Sequence, residues 1–152
     1  MRKSVKTIFM NLCMIYDDDG NILVQDRTSS FWSGITFPGG HIENGESFAD
    51  SVIREVFEET GLTIRNPKLC GLEDWQDEKG KRQVVLFYKT NSYSGELKSS
   101  DEGKVFWIKR KDLTNYKLSN DFEKMIEVFE NDDISEFFYY KNSNNEREYK
   151  ML

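Results

Sequence analysis

The chain has 152 residues, of which 27 are Asp or Glu and 21 are Lys or Arg, so its net charge is −6. Charged residues make up 32% and aromatic residues 14%, a composition typical of a globular protein rather than a disordered one. No basic patch, membrane-spanning apolar run or signal peptide is evident, which argues against nucleic acid polymers and membranes as partners. We therefore expect one cytoplasmic domain over residues 1–152, working as a monomer or a homodimer.

Apolar alternation and turn residues predict several strands and two helices. Strands are expected over residues 4–16, 22–27, 62–74, 83–89, 104–109 and 135–140, with a hairpin turn at 17–21. Helices are expected between Ser47 and Gly61 and over residues 121–130, and the polar residues 141–152 are expected to be a loosely held tail. Cys13 and Cys70 lie in apolar strands and are expected to be reduced thiols. Strands mixed with two helices favour the α+β class, as an α/β/α sandwich with a mixed sheet between the helices.

The first helix has clear sequence signals at both ends. Ser47, followed by Asp50 three residues later, is a capping-box-like start, and Gly61 is a typical helix stop. Between them, apolar residues recur at helical spacing and predict a buried face formed by Ala49, Val52, Ile53 and Val56.

Three carboxylates lie on the same helix. Glu55, Glu58 and Glu59 are spaced i, i+3 and i+4, so we expect them to share another face. Like charges that close destabilise a helix, and a divalent cation removes this penalty. Carboxylate oxygens suit Mg²⁺, with Mn²⁺ as an alternative, rather than Zn²⁺. The competing interpretation is a solvated acidic helix face with no ligand.

The stretch from residue 40 to residue 62 carries a nine-position pattern of Gly, Glu, Arg-Glu-apolar, Glu-Glu and Gly-apolar. The positions are Gly40, Glu46, Arg54, Glu55, Val56, Glu58, Glu59, Gly61 and Leu62. This pattern resembles the Nudix box, the signature of hydrolases that cut nucleoside diphosphates linked to another moiety. The resemblance implies a layered sandwich with the box as a loop-helix-loop.

The resemblance also implies roles for residues around the box. The carbonyl of Gly39 is expected to be a metal ligand beside Glu55, Glu58 and Glu59, and the two glycines of Phe37-Pro38-Gly39-Gly40 let the backbone approach it. Arg54 is expected to orient a glutamate, instead of forming a plain surface ion pair, with Glu46 either as its partner or as a contact to a metal-bound water. His41 either contacts a phosphate oxygen or is simply exposed.

Residues outside the box bear on the substrate. The motifs of ADP-ribose, dinucleoside polyphosphate and coenzyme A hydrolases are absent, which leaves the MutT-like branch that cleaves nucleoside triphosphates such as 8-oxo-dGTP. Residues 31–35 and 95–107 resemble segments of that branch. Glu102 matches its downstream glutamate and is expected to be either a metal ligand or general base, or else a surface loop residue. Asn120 resembles a purine-reading asparagine, or else is a helix N-cap. Ser33 stands where some relatives have asparagine, and Trp32, like Phe31 and Trp75, either stacks on a base or fills the core.

These observations predict a Mg²⁺-dependent hydrolase that yields a nucleoside monophosphate and pyrophosphate. The leading substrate is 8-oxo-dGTP, and the expected role is nucleotide-pool sanitising, which avoids mutations. A carboxylate, Glu55 or Glu102, is expected to take the proton from water. The alternatives are a Nudix pyrophosphatase for another nucleotide, such as a dNTP, a nucleotide sugar or ADP-ribose, a non-catalytic nucleotide sensor on the same fold, and a plain structural domain.

Overall fold

A computed structural model describes residues 1–152 and contains ten strands, two α-helices and one short 3-10 helix. The α-helices are α1 (Phe48–Thr60) and α2 (Phe122–Glu130), and the 3-10 helix is Arg110–Asn115. The strands are β1 (Thr7–Ile15), β2 (Asn21–Thr28), β3 (Ser33–Thr36), β4 (Leu62–Arg65), β5 (Lys68–Gln76), β6 (Arg82–Thr90), β7 (Ser92–Gly95), β8 (Gly103–Lys109), β9 (Glu136–Lys141) and β10 (Arg147–Met151).

The largest sheet has five strands in the order β1-β6-β5-β9-β10. It is mixed, because β1–β6 and β5–β9 are parallel pairs, whereas β5–β6 and β9–β10 are antiparallel. Its register places Met10 beside Val85, Val85 beside Glu73 and Glu73 beside Phe137. The other sheets are antiparallel, in the orders β3-β2-β8 and β4-β7.

The loop of residues 38–42 lies along the outer edge of β1 like an additional strand. The amide of Asn11 donates to the carbonyl of Gly40 at 2.8 Å, and the amide of Cys13 donates to the carbonyl of Pro38 at 2.9 Å. These bonds satisfy backbone groups that an edge strand would otherwise expose. They also fix the loop before α1 against the sheet.

The two helices pack on opposite faces of the five-stranded sheet. Successive residues of a strand point to opposite faces, and Leu12 and Cys13 accordingly belong to different apolar clusters. Val52 and Val56 of α1 pack in the cluster of 10 buried residues that contains Cys13. The apolar face of α2 packs in the cluster of 17 buried residues that contains Leu12. The predicted α/β/α sandwich is therefore confirmed.

The predicted signals at the ends of α1 are confirmed. The Ser47 side chain accepts a hydrogen bond from the Asp50 amide at 3.0 Å, and Gly61 adopts a left-handed conformation with φ of 76°. The start of α2 differs from expectation, since Asp121 and not Asn120 occupies the N-cap position, with φ of 67° and no side-chain cap. Asn120 therefore does not cap this helix.

Three stretches differ from the sequence predictions. The expected strand 62–74 is two strands, β4 and β5, because Asn66 turns with a φ of 49° before Pro67. The short strands β3 and β7 were not anticipated. The prediction of a loosely held tail at 141–152 is wrong, because β10 pairs with β9 and the Leu152 carbonyl accepts amides of Ser135 and Glu136 at 2.7 and 3.0 Å. Backbone pairing, rather than apolar burial, holds this segment.

Both cysteines are free thiols, Cys13 fully buried and Cys70 partly buried. Neither helix is long and apolar enough to cross a membrane.

Candidate functional site

Arg54, in the middle of α1, donates hydrogen bonds to three carboxylates and lies 3.8 Å from a fourth, Glu43. Its Nε and Nη2 donate to the two oxygens of Glu46 at 3.1 and 2.7 Å, a bidentate pair. Its Nη1 donates to Glu55 at 2.9 Å and to Glu58 at 3.2 Å, and Nη2 also donates to the carbonyl of His41 at 3.1 Å. The hydrogen bonds from Arg54 lower the pKa of Glu46 to about 2. The guanidinium therefore holds the loop and two helix carboxylates in one geometry.

Glu55 lies against the backbone of Gly40. Its side chain is 14% exposed, and burial raises the pKa of its carboxyl despite the hydrogen bond from Arg54. A Cβ atom at Gly40 would lie 2.4 Å from the Glu55 carboxyl carbon, closer than any side chain tolerates. Glycine at this position thus leaves the space that the carboxylate occupies.

Glu59 is the most buried carboxylate of α1, with 4% of its surface exposed. One oxygen accepts hydrogen bonds from the Gly39 amide and from the Gln25 side chain, both at 3.0 Å. The other lies 3.8 Å from Arg27. Burial raises the pKa of Glu59 to about 7, and the nearby charge of Glu55 contributes to this rise.

Glu58 is separated from the other two carboxylates. Its side chain is 56% exposed and contacts Arg54, and it does not line the cavity that Glu55 and Glu59 reach. Glu58 still lies on the same side of the helix as Glu55, since Nη1 of Arg54 donates to both carboxylates. Its side chain turns to solvent beside the guanidinium and not into the cavity.

Asn11 ties the loop to the helix. This buried side chain accepts from the Gly40 amide at 3.2 Å and donates to the Ser51 hydroxyl at 3.0 Å. A Cβ atom at Gly39 would lie 2.0 Å from the Asn11 carbonyl oxygen, so the backbones meet too closely for any other residue. Asn11 was not predicted as a site residue, although an amide inside an apolar strand is a signal for it.

A cavity of about 710 Å³ opens beside these groups. The predicted site residues that line it are Trp32, Gly39, Gly40, His41, Glu55, Glu59, Glu102 and Asn120. The predicted residues that do not line it are Ser33, Glu46, Arg54 and Glu58. Glu46 and Arg54 act on the cavity only through Glu55 and the loop. Ser33 is an exposed residue at the end of β3 that pairs with Thr28.

The residues expected to contact a base are spread along the cavity. Trp32 is half-buried, and the guanidinium of Arg27 lies 4.8 Å from its ring centre. Asn120 is exposed at the approach to α2, and Glu102 is exposed in the turn before β8. Phe31 is almost fully exposed and does not line the cavity, whereas Trp75 does.

Several cavity residues were not anticipated as site residues, and most belong to strands far from the box. They include Arg27, Glu73, Gln83, Asp121 and Arg147. Arg27 donates to the Gly39 carbonyl at 3.3 Å, which places a fixed positive charge beside the carboxylates. No clear sequence signal marks Arg27 or Glu73, because each lies beside another charged residue in its strand, Asp26 and Asp74 respectively.

The donor set suits a divalent cation, although no three His, Cys, Asp or Glu side chains already converge as a preformed metal cluster. The available oxygens come from Glu55, Glu59, Glu102 and the Gly39 carbonyl. Mg²⁺ keeps several waters and takes only one or two protein carboxylates, so a closed cluster is not required. Burial raises the pKa of Glu55 and Glu59, and a cation between them would offset the cost of their charges.

Known proteins resemble this chain in both sequence and structure. A family model described as the NUDIX domain matches residues 11–129. YvcI of Bacillus subtilis (strain 168), described as an uncharacterized Nudix hydrolase, is 36% identical over 112 residues, which cover 70% of this chain and 69% of the relative. An ADP-ribose pyrophosphatase of Methanocaldococcus jannaschii is 32% identical over 118 residues, covering 76% of this chain and 69% of the relative.

A solved structure extends the similarity to nearly the whole chain. The mutator MutT protein from Bacillus halodurans superposes with a TM-score of 0.75 at 27% identity, covering 95% of this chain and 97% of that protein. The family match spans well over half of the chain and includes α1, the loop before it and the cavity strands β1, β2, β5 and β6. On this evidence the chain belongs to the Nudix family and is a hydrolase that acts on acid anhydrides.

Proposed function

We propose that the chain is a Mg²⁺-dependent pyrophosphatase that cleaves a nucleoside triphosphate to a nucleoside monophosphate and pyrophosphate, with 8-oxo-dGTP as the leading substrate. The observation that carries the proposal is the shape of the cavity. Carboxylates and the Gly39 carbonyl lie at one end, which we call the carboxylate end, and Glu73, Trp75 and Asn120 lie at the other, which we call the far end.

The length of the cavity supports a nucleotide. The loop of residues 38–42, β1, β6 and β5 lie side by side, so Gly40 and Glu73 are separated by three strand spacings. Neighbouring strands are about 4.8 Å apart, which gives roughly 14 Å. This distance suits a nucleotide with its phosphates at the carboxylate end and its base at the far end. Trp75 and Trp32 offer flat apolar surfaces on which a base can stack.

Bound Mg²⁺, or Mn²⁺ in its place, would neutralise phosphate charge and lower the pKa of a bound water. Glu55, Glu59, Glu102 and the Gly39 carbonyl are the residues proposed to hold it. Arg27 lies where it can pair with a phosphate oxygen, and Arg54 fixes the position of Glu55.

The proton from the attacking water passes to a carboxylate, and Glu55 and Glu102, which both line the cavity, are the candidates for this role. The water oxygen forms a bond to phosphorus and pyrophosphate leaves, so no covalent enzyme intermediate is required. Glu58 lies outside the cavity, yet its contact with Arg54 links it to the same set of charges.

A second candidate is hydrolysis of ADP-ribose or another nucleoside diphosphate derivative. It is favoured by the relative from Methanocaldococcus jannaschii, which is described as an ADP-ribose pyrophosphatase. The same carboxylate end would serve that reaction, and only the far end would hold a different group.

A substrate panel tests the proposal. The hydrolysis products are separated by chromatography and quantified after incubation with Mg²⁺ and 8-oxo-dGTP, the four dNTPs, ADP-ribose or diadenosine polyphosphates. We expect 8-oxo-dGTP to have the highest kcat/KM and expect Glu59→Gln to lose nearly all activity while remaining folded. A higher kcat/KM on ADP-ribose would favour the second candidate, and hydrolysis of none would favour a nucleotide sensor. Near-normal activity of Glu59→Gln would contradict the metal assignment.

A further inference from the structure

Glu73 is a buried carboxyl group without a partner. It lies in the middle of β5, is 5% exposed and makes no side-chain hydrogen bond or ion pair within the chain. It nevertheless lines the cavity, on the face of the sheet shared with Trp75 two residues later. Their cross-strand neighbours Val85 and Gln83 line the cavity as well. The far end therefore has a floor of two apolar and two polar side chains.

The chain supplies no hydrogen-bond partner to this carboxyl, so its oxygens, which face the cavity, are left to water or a ligand. Burial, together with the charge of Asp121, raises the pKa of Glu73 to about 8, against the opposing charge of Arg147. At neutral pH the protonated acid, with one donor and one acceptor, is therefore favoured. A bound molecule that presents two N–H donors at this position would stabilise the ionised carboxylate instead.

The position of Glu73 identifies which part of a nucleotide it meets. It lies three strand spacings from Gly40, at the end of the cavity away from Glu55 and Glu59. Trp75 is beside it for stacking, and Asn120 approaches from the start of α2. With the phosphates at the carboxylate end, the hydrogen-bonding edge of the base lies at the Glu73 side chain.

We propose that Glu73 selects a guanine-type base by accepting hydrogen bonds from its adjacent N1–H and N2–H groups. This inference rests on the proposed cleavage of nucleoside triphosphates. Guanine and 8-oxoguanine both present these two neighbouring donors to the two oxygens of a carboxylate. Adenine presents one acceptor and one donor at the same edge, so one carboxylate oxygen would face a lone pair. Hypoxanthine keeps N1–H but lacks the second donor.

Arg147 completes the far end from outside the family match. It belongs to β10, beyond residues 11–129, and its guanidinium lies 3.5 Å from Asp121 and over the ring of Tyr139 at 3.7 Å. The positive charge of Arg147 compensates the negative charge of Asp121. Asp121 therefore repels an ionised Glu73 carboxylate less strongly than an unpaired aspartate would. The far end of the cavity is thus partly built by a segment that the family model does not cover.

Exchanging Glu73 for Gln tests the proposal, because the amide offers one donor and one acceptor and so matches the adenine edge. Above about pH 8, where the Glu73 carboxyl is ionised, binding of dGMP, dIMP and dAMP to the full chain is measured by calorimetry without metal, and kcat/KM for dGTP and dATP is measured with Mg²⁺. We expect the unmodified chain to prefer dGMP over dAMP by about 10- to 100-fold, with dIMP between them, and Glu73→Gln to lose or reverse this preference.

Glu136→Gln is the matched control, because Glu136 lies on β9 of the same sheet but does not line the cavity. Its guanine preference should equal that of the unmodified chain. If Glu73→Gln does not fold, Glu73→Asp keeps the charge but withdraws it by one methylene, and the preference should again fall.

The outcomes separate the two proposals. An unchanged guanine-to-adenine ratio in Glu73→Gln, or no guanine preference in the unmodified chain, overturns the role of Glu73 alone. Cleavage of no triphosphate, with dGMP still preferred over dAMP, overturns the proposed reaction but supports the role of Glu73.

Discussion

Replacing Glu73 with Gln is expected to stabilise the metal-free protein, and increasingly so as the pH rises. Burial raises the pKa of this carboxyl to about 8 from an ordinary value of 4.5. An acid whose pKa is raised on folding contributes stability that is complete below its unfolded pKa and is lost as the pH rises through its folded pKa. Between about pH 5 and about pH 7.5 this loss amounts to about 3 kcal/mol. Gln is neutral at every pH, so the Glu73→Gln variant does not undergo this loss of stability.

Urea unfolding of the full chain, without metal or nucleotide, at these two pH values measures the effect. The free energy of unfolding of Glu73→Gln minus that of the unmodified chain should grow by about 3 kcal/mol from the lower to the higher pH. Glu78→Gln, which changes a side chain that is 91% exposed, is the control variant. A pH-independent difference for Glu73→Gln would refute the view that this carboxyl is buried without partners.

Three further perturbations test other parts of the structure. Gly40→Ala places a Cβ 2.4 Å from the Glu55 carboxyl carbon, so the carboxylate must move by about 1 Å and kcat/KM should fall roughly 100-fold, whereas unchanged steady-state kinetics would contradict the close contact. Arg54→Lys loses the bidentate pair with Glu46, so steady-state kinetics should show kcat lowered at least 10-fold and KM raised by a smaller factor. Deletion of residues 142–152 removes β10 and should cost about 1 kcal/mol per lost backbone hydrogen bond, measured by urea unfolding; a truncated chain of full stability would restore the loose-tail interpretation.

Local signals made α1 predictable. Ser47 and Gly61 determine where the helix begins and ends, and the apolar spacing between them correctly identifies Val52 and Val56 as buried. Two other residues of the predicted face differ, since Ala49 is exposed and Ile53 is only partly buried. The resemblance to the Nudix box implied the pairing of Arg54 with Glu46, and the structure contains it. Glu58 departed from expectation because spacing along a helix gives an angle but does not say which long, exposed side chain a neighbouring guanidinium will bind.

The far end of the cavity was not predictable in the same way. Glu73 and Arg147 come from separate strands and meet only because β5, β9 and β10 pair in that order. The strand β10 itself escaped prediction, since most of its residues are exposed and its sequence lacks apolar alternation. Its position is set by backbone hydrogen bonds to β9 and by the contacts of the Leu152 carbonyl, which no local composition reveals.

The placement of α1 and α2 on opposite faces of the sheet separates two groups of residues that line the same cavity. The carboxylates are carried by a helix seated on the cluster around Val52 and Val56. The surface proposed to contact the base lies on the opposite face, around Val85 and Met125 of the larger cluster. The α1 carboxylates proposed to hold a metal ion and the strand residues proposed to contact a base therefore rest on separate apolar clusters, which the sheet divides.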